Sequence, residues 1–261
     1  MLTDLLWRAG WIPSVWLDVC RDYGVSPSKA LTLGTRANGR RPDLPGSATC
    51  QPVSGKTWEE LWTARPRDTE EAVFSFWEEI GSWCAFRQVI RHKGRSFRFI
   101  ARHLPRGVDV LEYGAGVAPV SWWLVRHGIS IRWLTIADVP SEHFRFGARR
   151  LLRRRTQVEA LPIQPGKLPL EKQWDAACVL EVLEHCSAPL ETIRHLTEHL
   201  RHHSLLWEDF GPHPDASGPD LPAAQRERPQ VYAYLDQRYR LEAGRSWTEP
   251  DGGGTRRWRK K

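Results

Sequence analysis

An α/β fold built on a mostly parallel, helix-flanked sheet is the prediction of this sequence, and three observations carry it. From Asp109 onward, short apolar runs alternate with segments of helical periodicity, the pattern of βαβ units. The runs are almost continuously apolar, as strands buried on both faces are. Two glycines, Gly114 and Gly116, follow directly on the first run, at the carboxyl end of a strand where open parallel sheets take ligands. A chain of 261 residues accommodates one such domain and an appendage.

The elements can be placed in order. Residues 1–55 read as one or two short helices followed by a Gly/Pro-rich connector. Residues 57–104 carry apolar side chains at three- and four-residue spacing, the mark of amphipathic helices. In the helix that opens after Asp68, acids come early and bases late, which complements the helix dipole. The first strand is expected over Val108–Glu112 and its helix over Pro119–His127; the second strand over Ile131–Ala137 and its helix over Glu142–Arg154. A third strand follows at Val158–Ile163 and a fourth at Trp174–Leu180, then a helix through Pro189–Arg201 and a fifth strand at His203–Phe210. Beyond a Pro-rich stretch from Gly211 come a helix over Val231–Arg238, a strand over Tyr239–Trp247 and a short last strand around Thr255–Lys260.

Composition narrows the class. Charged residues are 26% and hydrophobic ones 41%, a globular balance. No apolar run approaches the ~18 residues that span a bilayer, and residues 1–18 mix acids with tryptophans, unlike a secretory leader. Five cysteines, an odd number with no CxxC pair, argue against a disulfide framework or a zinc ribbon. Reduced thiols in a cytoplasmic protein are expected. The formal net charge is +7, with 31 arginines among 38 basic residues. Such charge leaves nucleic acid open as a partner, but no RNA-binding motif accompanies it, and a solvated Arg-rich surface is the simpler reading. The 14 tryptophans are expected in the core or in the wall of a ligand site.

The glycine turn can be read further. Glycine permits a sharp turn and a close backbone approach, and the helix that follows presents free N–H groups to the site. A dinucleotide turn of the form G-x-G-x-x-G needs a third small residue for helix–strand packing; Pro119 stands there. No Gly-Lys-Ser/Thr follows, so the P-loop is excluded. Glu112, just before the turn, would repel a pyrophosphate but suits a cationic group such as a ligand ammonium. Asp138 ends the second strand, 22 residues after Gly116, where a carboxylate can accept both hydroxyls of a ribose.

The ordered strings "VLEYGAG", "LTIADVP" and "WDAACVLEVLEHCSAP" resemble the motifs of class I S-adenosylmethionine-dependent methyltransferases, and the resemblance covers about residues 95–245. It implies a Rossmann-like sheet of seven strands, the last antiparallel, in residues 105–261, with residues 1–104 as an N-terminal helical extension or cap. S-adenosylmethionine would be the cofactor and S-adenosylhomocysteine its product. By the same resemblance Glu112 lies near the cofactor's methionine amine, and the turn Tyr113, Gly114, Ala115, Gly116 packs along it. Asp138 binds the ribose with Val139 beside it, Gln164 flanks the adenine, and Leu180 stands at the ligand edge of the fourth strand. Many members carry an acid where this chain has Gln164; an amide can still hydrogen-bond an adenine. The segment "FWEEIGSWCAFRQVIRHKGRSFRFI" is similar to the helical cap of small-molecule members.

Other polar residues compete for roles. Glu181, Glu184 and His185, at i, i+3 and i+4, would share one helical face and could hold a divalent cation or move a proton. "VLEH" resembles a string widespread in metal-free members, so no metal is expected. His185, as base or substrate contact, and Glu181 are the candidate catalytic residues. His195 and His199 have metal-ligand spacing but precede the fifth strand, away from the carboxyl edge, and read as a solvated helix face. The expected activity is methyl transfer to a small-molecule acceptor, in which the protein chiefly positions the partners. Trp58, Trp62, Phe74, Trp77, Trp83 and Phe86 could wall an apolar site for it. The charge favours the alternative of an RNA or protein methyltransferase, and a binding protein without transfer chemistry is a third reading.

Overall fold

The computed structural model describes residues 13–30, 58–91, 95–155, 157–167, 169–211, 220–246, 248 and 254–261. The expected connector at residues 34–55 and the side chains of Trp58 and Trp83 lie outside the described residues.

Among the described residues four helices precede the sheet: α1 (Pro13–Asp22), α2 (Trp58–Thr63), α3 (Glu70–Arg91) and α4 (Arg95–His103). Thr69 caps α3, its Oγ1 accepting from the Ala72 N–H at 3.2 Å, and Glu70 and Glu71 fill the first turn. The sheet then alternates with helices: β1 (Val108–Tyr113), α5 (Pro119–Arg126), β2 (Ile131–Asp138), α6 (Glu142–Leu152), β3 (Val158–Pro162), β4 (Trp174–Val179), α7 (Pro189–Glu198), β5 (Leu200–Glu208), α8 (Pro222–Arg238), β6 (Tyr239–Ala243) and β7 (Arg256–Lys260).

The strand order is β3-β2-β1-β4-β5-β7-β6. β1 to β5 pair parallel, whereas β7 runs antiparallel to both β5 and β6. This is the Rossmann-like, seven-stranded sheet expected, with the last strand reversed. The order turns back between β1 and β4, and the crevice for a ligand opens at such a switch point.

Alternation along each strand builds two cores. Val110, Ala176, Cys178, Leu205 and Trp207 face one side and pack against Phe97, Ile100, Trp122 and Phe146. Leu111, Tyr113, Ala177, Val179 and Leu206 face the other, with Trp62, Phe76, Leu196 and Tyr232. α3 contributes Val73, Phe76 and Ile80 to the second core and Ala85 and Phe86 to the first, so it spans both layers. Gly81 allows this passage: a Cβ there would lie 2.7 Å from the Glu142 backbone nitrogen at the start of α6.

Besides β6, which ends at Ala243 rather than Trp247, three placements differ from expectation by more than two residues. α7 ends at Glu198 and β5 starts three residues earlier than expected. The two are joined through His199, and a left-handed His203 (φ 61°) sits where the β4–β5 register shifts. α8 begins at Pro222 and runs through Pro229, so the expected nine-residue delay to Val231 is absent. Pro222 suits the first helical position, and the start is tied down because the Leu221 N–H donates to the Glu184 carbonyl at 2.9 Å. Third, Glu181, Glu184 and His185 do not share an α-helical face. Glu181 is left-handed (φ 56°) and only Leu183–His185 form a single 3₁₀ turn.

Two of the buried ion pairs join elements far apart in sequence. Arg150, 1% exposed, reaches Asp18 of α1 at 3.1 Å and stacks on Trp122 at 4.1 Å. Glu208, fully buried, meets Arg256 at 2.7 Å and also accepts from Trp258 Nε1 at 2.8 Å and the Tyr232 hydroxyl at 3.0 Å. Among the described residues Cys20, Cys178 and Cys186 are free thiols. Among the described residues no helix is long and apolar enough to cross a membrane.

Candidate active site

A cleft opens at the carboxyl edge of the parallel strands, enclosing about 1050 Å³ of atom-free space with its mouth included. Its floor is Tyr113 and Gly114 from the end of β1, Asp138 and Val139 from the end of β2, and Ile163 after β3. Glu181, Val182, His185 and Cys186 close it beyond β4, with Glu191 and Thr192 of α7. Glu70, Val73, Phe74 and Trp77 on the first two turns of α3 form the opposite wall.

The turn after β1 is shaped by contacts. Gly114 has φ +66° and a Cβ there would stand 2.8 Å from Val182 Cγ1, with Cγ2 closer still. Only glycine admits both the conformation and the close approach of the β4 loop. The Ala115 N–H donates to the Ala137 carbonyl at 3.1 Å. The Gly116 N–H donates to Asp138 Oδ2, and the Val139 N–H donates to Oδ1 at 2.6 Å. Asp138 thus locks the turn of β1 to the end of β2 and still lines the cleft. Burial pushes its carboxyl up to about 6, against the pull of those two N–H donors.

Glu112 takes a different place. Strand alternation sends its side chain away from that of Tyr113, and it is 4% exposed. α5 has left-handed Ala118 as its N-cap, which offers no side-chain acceptor, and Pro119 at its first turn. Glu112 supplies the missing acceptor: Val120 and Ser121 donate their N–H groups to its carboxylate at 3.1 and 2.8 Å. Burial nevertheless pushes the group up to about 7.

The expected site residues therefore divide. Tyr113, Gly114, Asp138, Val139, Glu181 and His185 line the cleft. Glu112, Ala115, Gly116, Gln164 and Leu180 do not: the first three build the turn beneath it, and Leu180 packs on the first core. Gln164 is exposed, its Oε1 accepting from Lys167 Nζ at 2.6 Å.

His185 sits in an aromatic corner, its ring 5.5 Å from Trp62 and 5.4 Å from Trp77. Glu181 is positioned from below, because Asp209 Oδ1 accepts its N–H at 2.7 Å, and Asp209 follows directly on the buried Glu208. Burial and the neighbouring Glu181 push the Asp209 carboxyl well up. Glu184 is likewise raised by burial and by Asp209 and Glu181, and lies outside the cleft lining. Burial pushes the Cys186 thiol up to about 12, so no thiolate forms there at neutral pH.

Several lining residues were not signalled by sequence. His143, 3% exposed on the first turn of α6, faces Trp77 at 6.3 Å, and burial lowers it to about 4, so it is neutral. Its position five residues past Asp138 is the one cue that could have marked it. Glu70 accepts from the Gly166 N–H at 2.6 Å and so joins α3 to the loop after β3; no motif announces it. His195, read as a solvated face, accepts from the Leu170 N–H at 3.1 Å. Among the described residues no group of three or more His, Cys, Asp or Glu is placed to hold a metal ion.

No family model matches this chain, and no curated protein does. Solved structures do. N-methyltransferase NodS from Bradyrhizobium japonicum, in complex with S-adenosyl-L-homocysteine, is 16% identical over 66% of this chain and 87% of its own, with a TM-score of 0.48. The [4+2]-cyclase SpnF is 19% identical over 60% of each chain, with a TM-score of 0.47. An rRNA methylase from Streptococcus thermophilus is 16% identical over 63% of this chain and 93% of its own, with a TM-score of 0.44. The fold assignment rests on the strand order and pairing, not on these likenesses.

Proposed function

We propose that the protein is a class I S-adenosylmethionine-dependent methyltransferase acting on a small-molecule acceptor. The observation that carries it is the charge and chemistry of the cleft: in a chain of net charge +7, four carboxylates (Glu70, Asp138, Glu181, Glu191) line it against one lysine, Lys167. Such a site disfavours phosphates and favours a ligand with cationic sulfur and ammonium groups. The donor set fits S-adenosylmethionine: Asp138, at the end of β2, has carboxylate lone pairs for ribose hydroxyls beyond the two it gives to backbone N–H groups. The Gly114 turn lies along the floor, and Val139 and Ile163 are apolar surfaces for a base.

When bound, the cofactor supplies a methyl group on a positively charged sulfur. The chain's own work is to position an acceptor beside it and to exclude water, for which the wall of Phe74 and Trp77 on α3 is suited. His185 and Glu181 face the cleft and are the groups available to hold or pass an acceptor proton.

A small acceptor is favoured over RNA because among the described residues no arginine lines the cleft, and several pair with carboxylates elsewhere. Arg150 and Arg153 pair with Asp18 and Asp22, Arg145 and Arg149 with Glu142, Arg132 and Arg201 with Asp109, and Arg257 and Arg259 with Glu242. None of these lines the cleft.

Calorimetric titration with S-adenosylhomocysteine tests the reading. Binding is expected, with Asp138→Ala weakening it by at least about tenfold, the loss of one charge-assisted bond. Absent binding, or tighter binding of NAD, would overturn the assignment. Transfer of a labelled methyl group then separates an enzyme from a binding protein.

A further inference from the structure

We infer that the acceptor is an amine which docks as a cation, and that Glu181 is the specificity-determining carboxylate that receives it. This rests on the methyl-transfer reading above.

Glu181 is a strained residue in a defined place. A non-glycine residue at φ 56° persists only where its surroundings hold it, and here Asp209 holds its N–H while its side chain stands exposed at the cleft. Among the described residues no donor or cation pairs with its carboxylate, nor with that of Glu191 in the first turn of α7. Both lie on the β4 side of the switch point, whereas Asp138 lies on the β2 side. In a cofactor lying across these strand ends with its ribose at Asp138, the β4 side is where the transferable group and the acceptor meet.

That end of the cleft carries more negative charge than it neutralises. Lys167, the single lining cation among the described residues, gives its Nζ to Gln164 Oε1 at 2.6 Å. Glu181 itself helps to push up the carboxyls of Glu184 and Asp209. An incoming cation relieves this repulsion. A neutral hydroxyl would leave it in place and an acid would add to it. The facing wall completes the fit, since the rings of Phe74 and Trp77 tolerate a cation against their faces and an alkyl or aryl body beside them.

The chemistry balances. The docked ammonium sheds one proton to solvent, and the freed nitrogen lone pair forms the new N–C bond as the C–S bond breaks with its electrons passing to sulfur. One sulfonium cation is consumed and one methylated ammonium is formed.

The test uses the full chain saturated with S-adenosylhomocysteine and matched probes: benzylamine, 2-phenylethylamine and tryptamine, each against its alcohol and its carboxylic acid. Calorimetry should show at least one amine binding at least about tenfold tighter than its alcohol, with the acids weakest. Glu181→Gln should abolish that preference while leaving the S-adenosylhomocysteine affinity unchanged and without lowering the thermal midpoint. Amines that nowhere exceed their alcohols overturn the inference alone. So does a Glu181→Gln variant with weakened S-adenosylhomocysteine affinity, because the carboxylate would then serve the cofactor's ammonium. Failure of S-adenosylhomocysteine to bind the wild-type protein overturns the methyl-transfer reading and this inference with it.

Discussion

Replacing Gly114 with alanine isolates the contact on which the cleft floor depends. Two costs add. The left-handed backbone, φ +66°, costs an L-residue about 1–2 kcal/mol. The new Cβ would also lie 2.8 Å from Val182 Cγ1 and 3.0 Å from its Cβ, and overpacking of this kind costs about 1–3 kcal/mol. The sum is about 2–5 kcal/mol. Gly128 provides the control: its φ is +65° and a Cβ there would meet nothing within 4 Å, so Gly128→Ala should show the backbone cost alone. Urea unfolding followed by tryptophan fluorescence reads these two variants, Val182→Ala alone, and Gly114→Ala with Val182→Ala. The double substitution should recover the packing share and leave the backbone share, a coupling of about 1–3 kcal/mol. Because Val182 lines the cleft, Gly114→Ala alone should also weaken S-adenosylhomocysteine binding. Equal costs for Gly114→Ala and Gly128→Ala would refute the argument, since the approach of Val182 would then be immaterial.

Two further outcomes follow from buried charge. Glu112 is raised from 4.5 to about 7 by burial, so the folded state holds its proton more tightly than the unfolded chain. Its contribution is full below about pH 4.5 and is lost as pH rises through about 7, a change of about 3 kcal/mol. Glu112→Gln cannot ionise, so the wild type should lose stability relative to the variant from pH 5 to pH 8 in urea titrations; parallel profiles would refute this. Asp18→Ala strips the carboxylate from Arg150, which is 1% exposed and also donates to the Val117 carbonyl at 3.2 Å. A loss of about 3–5 kcal/mol is expected, largely restored by adding Arg150→Met. A loss below about 1 kcal/mol, the value of an exposed pair, would show that α1 does not depend on this bridge.

Much of the frame was legible because it is local. Near-continuous apolar runs such as Trp174–Val179 can only be strands covered on both faces, and the helices between them follow from spacing. The long α8 was not legible, because Pro222 and Pro229 read as breaks, whereas burial of Val231, Tyr232 and Leu235 carries the helix through them. The string from Glu181 to His185 has helical spacing, yet Asp209 and the close approach of Gly114 to Val182 hold it in a turn. Both partners come from distant sequence, so no local pattern records them.

The sequence alone pointed to the ends of β1, β2 and β4, where the cleft opens, because glycines and acids at strand ends follow from strand length and turn chemistry. Only the tertiary structure decided which acids line the cleft and which serve the fold. Glu112 and Asp138 look alike as acids beside a glycine turn, yet one caps α5 beneath the site and the other lines the cleft. The reason is geometric. A carboxylate serves whichever unpaired N–H groups its strand face presents to it, and which helix start lies there is settled by packing.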